Sequence, residues 1–146
     1  MRPPSLSRLV LLALAALGAS KPIAAEPPDF KVIVNPNNPI SAADREFVRD
    51  AYLKKASEWA NHQVVHPIDL SARFPVRARF AERVIRKTPS QLRTYWNQQV
   101  FTGKNNPPPE VASVADAVAY VVATKGAIAY IPVDANPGAA KVIGIR

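Results

Sequence analysis

The chain has 146 residues, room for one ordinary domain, and carries 19 Lys and Arg against 11 Asp and Glu for a formal net charge of +8. A hydrophobic share of 48% excludes a wholly disordered chain, and the lack of Cys excludes a disulfide framework, Cys-based zinc sites and a thiol nucleophile. Only 5 Gly against 15 Pro argues against a glycine-rich nucleotide cradle.

Residues 1–25 have the order of a secretory leader. Arg2 and Arg8 precede an apolar run from Leu9 to Leu17, and small residues follow, among them Gly18, Ala19, Ser20, Ala24 and Ala25. An apolar run that short, rising about 1.5 Å per residue, falls well short of a hydrocarbon core of about 30 Å, so no stable membrane span is expected. Cleavage is expected after Ala25, with Ser20 as the alternative, leaving a domain over residues 26–146. Losing Arg2, Arg8 and Lys21 takes the formal charge from +8 to +5. That moderate charge and an exported, periplasm-like location argue against a nucleic-acid partner.

Phe30 to Val34 is a β-branched run closed by an Asn-Pro turn, which predicts a strand. Ser41, three residues before Asp44, has capping-box spacing and predicts a helix start. Phe47, Val48, Ala51 and Tyr52 give that helix an apolar stripe, and it should end near Lys54 or Lys55. Trp59 is expected to plug the core. Val64 to Leu70 is a second strand, made irregular by Pro67. Pro75 opens a helix burying Val76, Phe80 and Val84, with Phe74 at its cap position. Thr88, Pro89 and Gln91 start another, which shows Leu92, Tyr95 and Trp96 on one side. Residues 105–109 form a proline loop. Ser113 and Asp116 start the last helix, with Val114, Val118, Val121 and Val122 as its stripe and Gly126 as a left-handed cap. Strands at 127–133 and 141–145 close the chain. The alternation predicts an α/β layer with a partly parallel sheet flanked by helices.

Residues 73–93 hold Arg73, Arg77, Arg79, Arg83, Arg86, Lys87 and Arg93 against one acid, Glu82. Arg79, Arg83, Arg86 and Lys87 would share one helix face, either a solvated face or a surface for anions, acidic partners or anionic membranes. A helix start at Pro75 offers amide N–H groups and a positive dipole end, where Ser71, Arg73 and Arg77 complete a candidate anion site. His62, His66 and Asp69 have metal-ligand spacing only on a helix, which Pro67 opposes, so no metal is expected. Trp59, Tyr95 and Trp96 read as packing residues or as stacking surfaces for a ligand. No nucleophile elbow surrounds Ser71, and no paired carboxylates or phosphate loop are evident, so neither catalysis nor a cofactor is expected.

Three segments in order resemble the phosphate-binding proteins of ABC transporters. VIVNPNNPIS with REFVRDAYLKKASEW looks like the segment opening that family's second lobe. LRTYWNQQVFTGKNNPPPEVAS looks like its later helix and proline loop, and TKGAIAYIPV like its closing turn and strand. The resemblance covers residues 30–145 and implies a single lobe of a type II periplasmic-binding-protein-like fold. It implies an exported solute-binding-like protein, taking phosphate or another small anion in connection with ABC-type phosphate transport. The family's second-lobe anion loop carries an Arg and a Ser-Gly-Thr turn. The corresponding stretch here, Asp69 to Arg77, has no such turn and puts Phe74 at the cap. The alternative is therefore a single-lobe interaction protein that has lost the ligand site and docks a protein or envelope partner, or a second copy, through its basic face.

Overall fold

The computed structural model describes residues 29–146, together with Gly18 and Ser20. The remainder of the expected leader lies outside the described residues. The main sheet has five strands in the order β2-β7-β1-β6-β3. β1 (Phe30–Val34) lies antiparallel to both β6 (Ala127–Pro132) and β7 (Lys141–Ile145), setting Val32 opposite Tyr130 and Ile143. The edges are parallel: β2 (Ala42–Ala43) joins β7, and β3 (His66–Pro67) joins β6. A second, two-stranded sheet pairs β4 (Asp69–Leu70) with β5 (Glu110–Val111) in parallel. Among the described residues four α-helices complete a mixed α/β lobe: α1 (Arg45–Tyr52), α2 (Pro75–Phe80), α3 (Pro89–Phe101) and α4 (Val114–Ala123). None of the helices among the described residues is long and apolar enough to cross a membrane.

Val32, Ile33 and Val34 are all buried, as are Ala127 to Ile131, so both faces of the central strands are covered. On one face Phe80 of α2 stacks on Tyr130 at 4.0 Å between ring centroids, and Phe30 and Tyr52 meet Phe80 edge-on. Asn35 ties the end of β1 to α4, donating from Nδ2 to the carbonyls of Val121 and Val122 at 3.0 and 3.1 Å. Trp59 is buried as expected, its indole N–H donating to the Gly126 carbonyl at 2.9 Å. Gly126 has φ +77°, and a Cβ there would lie 2.0 Å from the Val64 carbonyl oxygen, so this left-handed turn admits only glycine.

Several boundaries differ from the sequence reading, each because the backbone finds a distant partner. Ser41 does not cap α1; its carbonyl accepts from Gly144 N, and residues 42–43 pair with β7 before Asp44 takes the N-cap position. α1 ends at Tyr52 rather than at the lysines, with Lys54 in a left-handed conformation. The run from Val64 to Leu70 is two strands in two sheets. Ile68 N still donates to Ile128 in the main sheet, whereas Asp69 N donates to the Pro109 carbonyl. Past Phe80 the chain continues as a π-helical turn over Ala81–Ile85, and Arg86 stops it at φ 63°. That wider turn and the left-handed stop place Arg86 and Lys87 beyond the helix, so the expected single basic face is broken.

Candidate functional site

The expected anion residues do meet at one corner, where β4 and β5 run into α2. Ser71 follows β4 directly; its N–H donates to the Val111 carbonyl, and its own carbonyl accepts from Phe74 N. This tight turn sets Phe74 at the N-cap position in extended backbone, with no side-chain cap, and Pro75 in the first helical turn. Both arginines, however, turn onto β5. The exposed Arg73 donates to the Ala112 carbonyl and lies over the Phe74 ring, 5.0 Å from its centroid. Arg77 donates to the Leu70 carbonyl at 3.0 Å, pairs with Glu110, and lies 3.3 Å from an Asp69 oxygen.

Arg77 thus sits between a buried carboxylate and an exposed one. Asp69 accepts from the Tyr130 hydroxyl, which in turn accepts from Leu70 N at 3.4 Å. Burial pushes the Asp69 carboxyl above the usual carboxylate range, against the downward pull of the Tyr130 hydrogen bond and the Arg77 charge. Burial also holds the Tyr130 hydroxyl well above its ordinary value, reinforced by Asp69, so it stays a proton donor. Burial acts to lower the Arg77 pKa, but Asp69 and Glu110 outweigh it and the guanidinium is held charged. The Glu110 side chain of this pair is half exposed, whereas Asp69 lies buried behind the arginine.

The rest of the basic stretch is dispersed. Arg79 pairs with Asp29, and the Lys87 ammonium lies over the Tyr95 ring at 5.6 Å. Arg83 and Arg86 line a separate hollow with Arg45 over Phe30, Val32 and Ile145. His62, His66 and Asp69 are not brought together: His62 is exposed and lies 3.4 Å from Glu58, His66 sits on an edge strand, and Asp69 faces Tyr130. Glu110 and Tyr130 escaped the sequence reading as site residues, and Asp69 entered it only as a metal-ligand candidate set aside, not as a partner of Arg77. The one available signal was an acid, Asp69, set within an apolar strand segment beside a basic stretch.

No protein-family model matches the chain, and no curated protein matches it. Solved structures do. An ABC-type phosphate transport receptor from Vibrio cholerae aligns with a TM-score of 0.61 at 17% identity, over 80% of this chain and 46% of its own. The fold is that of a single periplasmic-binding-protein lobe. A protein from Clostridium perfringens described as a phosphate ABC transporter substrate-binding protein, solved with bound phosphate, aligns at 0.63 and 14% identity. It is covered over 44% of its length, against 80% of this chain. PstS from Borrelia burgdorferi aligns at 0.62 and 11% identity, over 81% of this chain and 47% of its own. The chain therefore spans less than half the length of each of these structures. The resemblance read from the three sequence segments holds at the level of fold, and its one-lobe extent holds with it.

Proposed function

We propose that this chain is an exported, non-catalytic solute-binding-type lobe that takes a small anion, phosphate among them, at the corner of Ser71, Arg73 and Arg77. Residues 1–25 would act as the cleaved leader and residues 26–146 as the mature domain. The observation that carries the reading is Arg77: a guanidinium at the start of α2 anchored on the Leu70 carbonyl and paired outward with the half-exposed Glu110, in a lobe whose structural neighbours include a phosphate transport receptor. Phosphate would replace Glu110 on that guanidinium, with Arg73 swinging from the Ala112 carbonyl as the second donor. One lobe supplies only one wall of a cleft, so the ligand stays half solvated. The expected dissociation constant is about millimolar, about 4 kcal/mol of binding free energy.

Isothermal titration with inorganic phosphate tests this. Glu110→Gln should tighten binding about two- to fivefold by removing an exposed competitor. The double change Arg73→Ala, Arg77→Ala should abolish binding. Unchanged affinity in both variants would remove the corner as the site. A second reading, an interaction lobe docking a protein partner or a second copy, draws on two observations: both arginines already have internal partners, and Phe101 is 92% exposed. It leads if no anion binds.

A further inference from the structure

Between α2 and α3 lies a cleft of about 320 Å³. Its depth follows from small residues: Ala78 and Ala81, three apart on one side of the helix, leave room that larger side chains would fill. Leu92, Trp96 and Pro107 form the facing walls. Arg77 and Glu110 neutralise each other at the end that meets the corner. Arg93 and Asn97 line the cleft from α3, and neither has a hydrogen-bond or ion-pair partner among the described residues. The Trp96 indole packs edge-on against Tyr95, and its N–H has no acceptor among the described residues.

Inorganic phosphate does not match this space. It is fully hydrated, gains nothing from aliphatic and indole walls, and is small beside a cleft within the range of organic-ligand sites. We infer that the α2–α3 cleft binds a small organic anion, with a flat apolar body against Trp96, Leu92 and Ala78 and its charged head on Arg93. Among the described residues the one unpaired charge lining the cleft is that of Arg93, which selects an anion over a cation. The indole and the alanines select an aromatic or planar body over a sugar. The head can be a phosphate monoester or a carboxylate, since a guanidinium takes either in two-point contact.

Calorimetric titration with phenyl phosphate, benzoate, inorganic phosphate and benzyl alcohol separates body from head and one head from the other. At least one of the two aromatic anions should bind at least about tenfold more tightly than inorganic phosphate, and benzyl alcohol no better than phosphate. Arg93→Ala, a change at an exposed residue, should cost about tenfold in affinity for the preferred aromatic anion. Ala78→Leu should fill the cleft and abolish that binding, leaving the thermal midpoint within a few degrees. Trp fluorescence should change on binding in the native chain and not in Trp96→Phe, since Trp59 is buried elsewhere. Neither aromatic anion binding more tightly than phosphate, or equal affinity in Arg93→Ala and Ala78→Leu, overturns the inference. Tight aromatic binding without any phosphate binding upholds the cleft and sinks the corner. Phosphate binding without an aromatic gain does the reverse.

Discussion

Around β1 and β6 successive side chains from both strands are buried, and Tyr52, Phe80 and Tyr130 interlock as rings. Along α3, an element of 13 residues, only Leu92 is buried, and Val100 and Phe101 stand in solvent. Besides Leu92 and the partly buried Tyr95 and Trp96, α3 is held by polar and local devices. A full capping box joins Thr88 and Gln91, and the Tyr95 hydroxyl donates to the Leu53 carbonyl at 2.8 Å. The sheet side is thus stabilised by area removed from water, and the α3 side by a few directional contacts that leave a cleft beneath it. Arg93 and Asn97, which have no side-chain partner among the described residues, lie on this loosely packed side, where a ligand can reach them.

The largest effect should come from breaking the sheet side. Phe80→Ala removes the ring that joins Tyr130, Tyr52 and Phe30 and should cost about 3–5 kcal/mol in denaturant unfolding. Phe101→Ala, of the same chemistry on α3, should change stability by less than about 0.5 kcal/mol. Comparable losses at the two positions would erase the contrast. Next in size, Thr88→Ala removes the side-chain acceptor for Gln91 N at 3.2 Å and should cost about 1 kcal/mol. An unaltered denaturant midpoint would show that α3 does not depend on its cap.

The smallest effect sharpens the boundary between the two regions. Asp69 lies between Tyr130 of the sheet and Arg77 of the corner, and its pKa is raised above 3.8. The folded protein then holds that proton more tightly than the unfolded chain. Asp69's contribution to stability is therefore greatest at low pH and falls as pH rises from about 3.8 through the elevated folded value. Glu110, Arg77, Tyr130 and Tyr52 are the charged and titratable groups coupled to it. Unfolding midpoints followed upward from pH 4 should fall less steeply in Asp69→Asn than in the native chain. Equal slopes would mean that Asp69 does not titrate in that window.

The sequence showed most clearly what is local. Thr88-Pro89-Gln91, Pro75 after Phe74, and Ser113 with Asp116 each depend on a few adjacent residues, and each lies where the local pattern puts it. Ser41 failed as a cap because residues 41–43 were claimed by β7, a strand a hundred residues later, through a pairing that local spacing does not encode. The same limit governs the site. Ser71, Arg73 and Arg77 were placed at one helix start, and they are there. Their orientation is set by β5, whose Glu110 lies 33 residues beyond Arg77. The cleft likewise depends on the angle between α2 and α3, which the π-helical turn and the left-handed Arg86 determine and residue periodicity does not reveal.

The proposed place for an anion on this lobe is the β4–β5–α2 corner rather than the basic hollow beside the sheet. An amide-resolved NMR titration with inorganic phosphate tests it most directly. Shifts should concentrate at residues 71–77 and at Glu110, with a change at the Arg77 guanidinium. Shifts centred instead on Arg45, Arg83 and Arg86, with residues 71–77 unmoved, would contradict it.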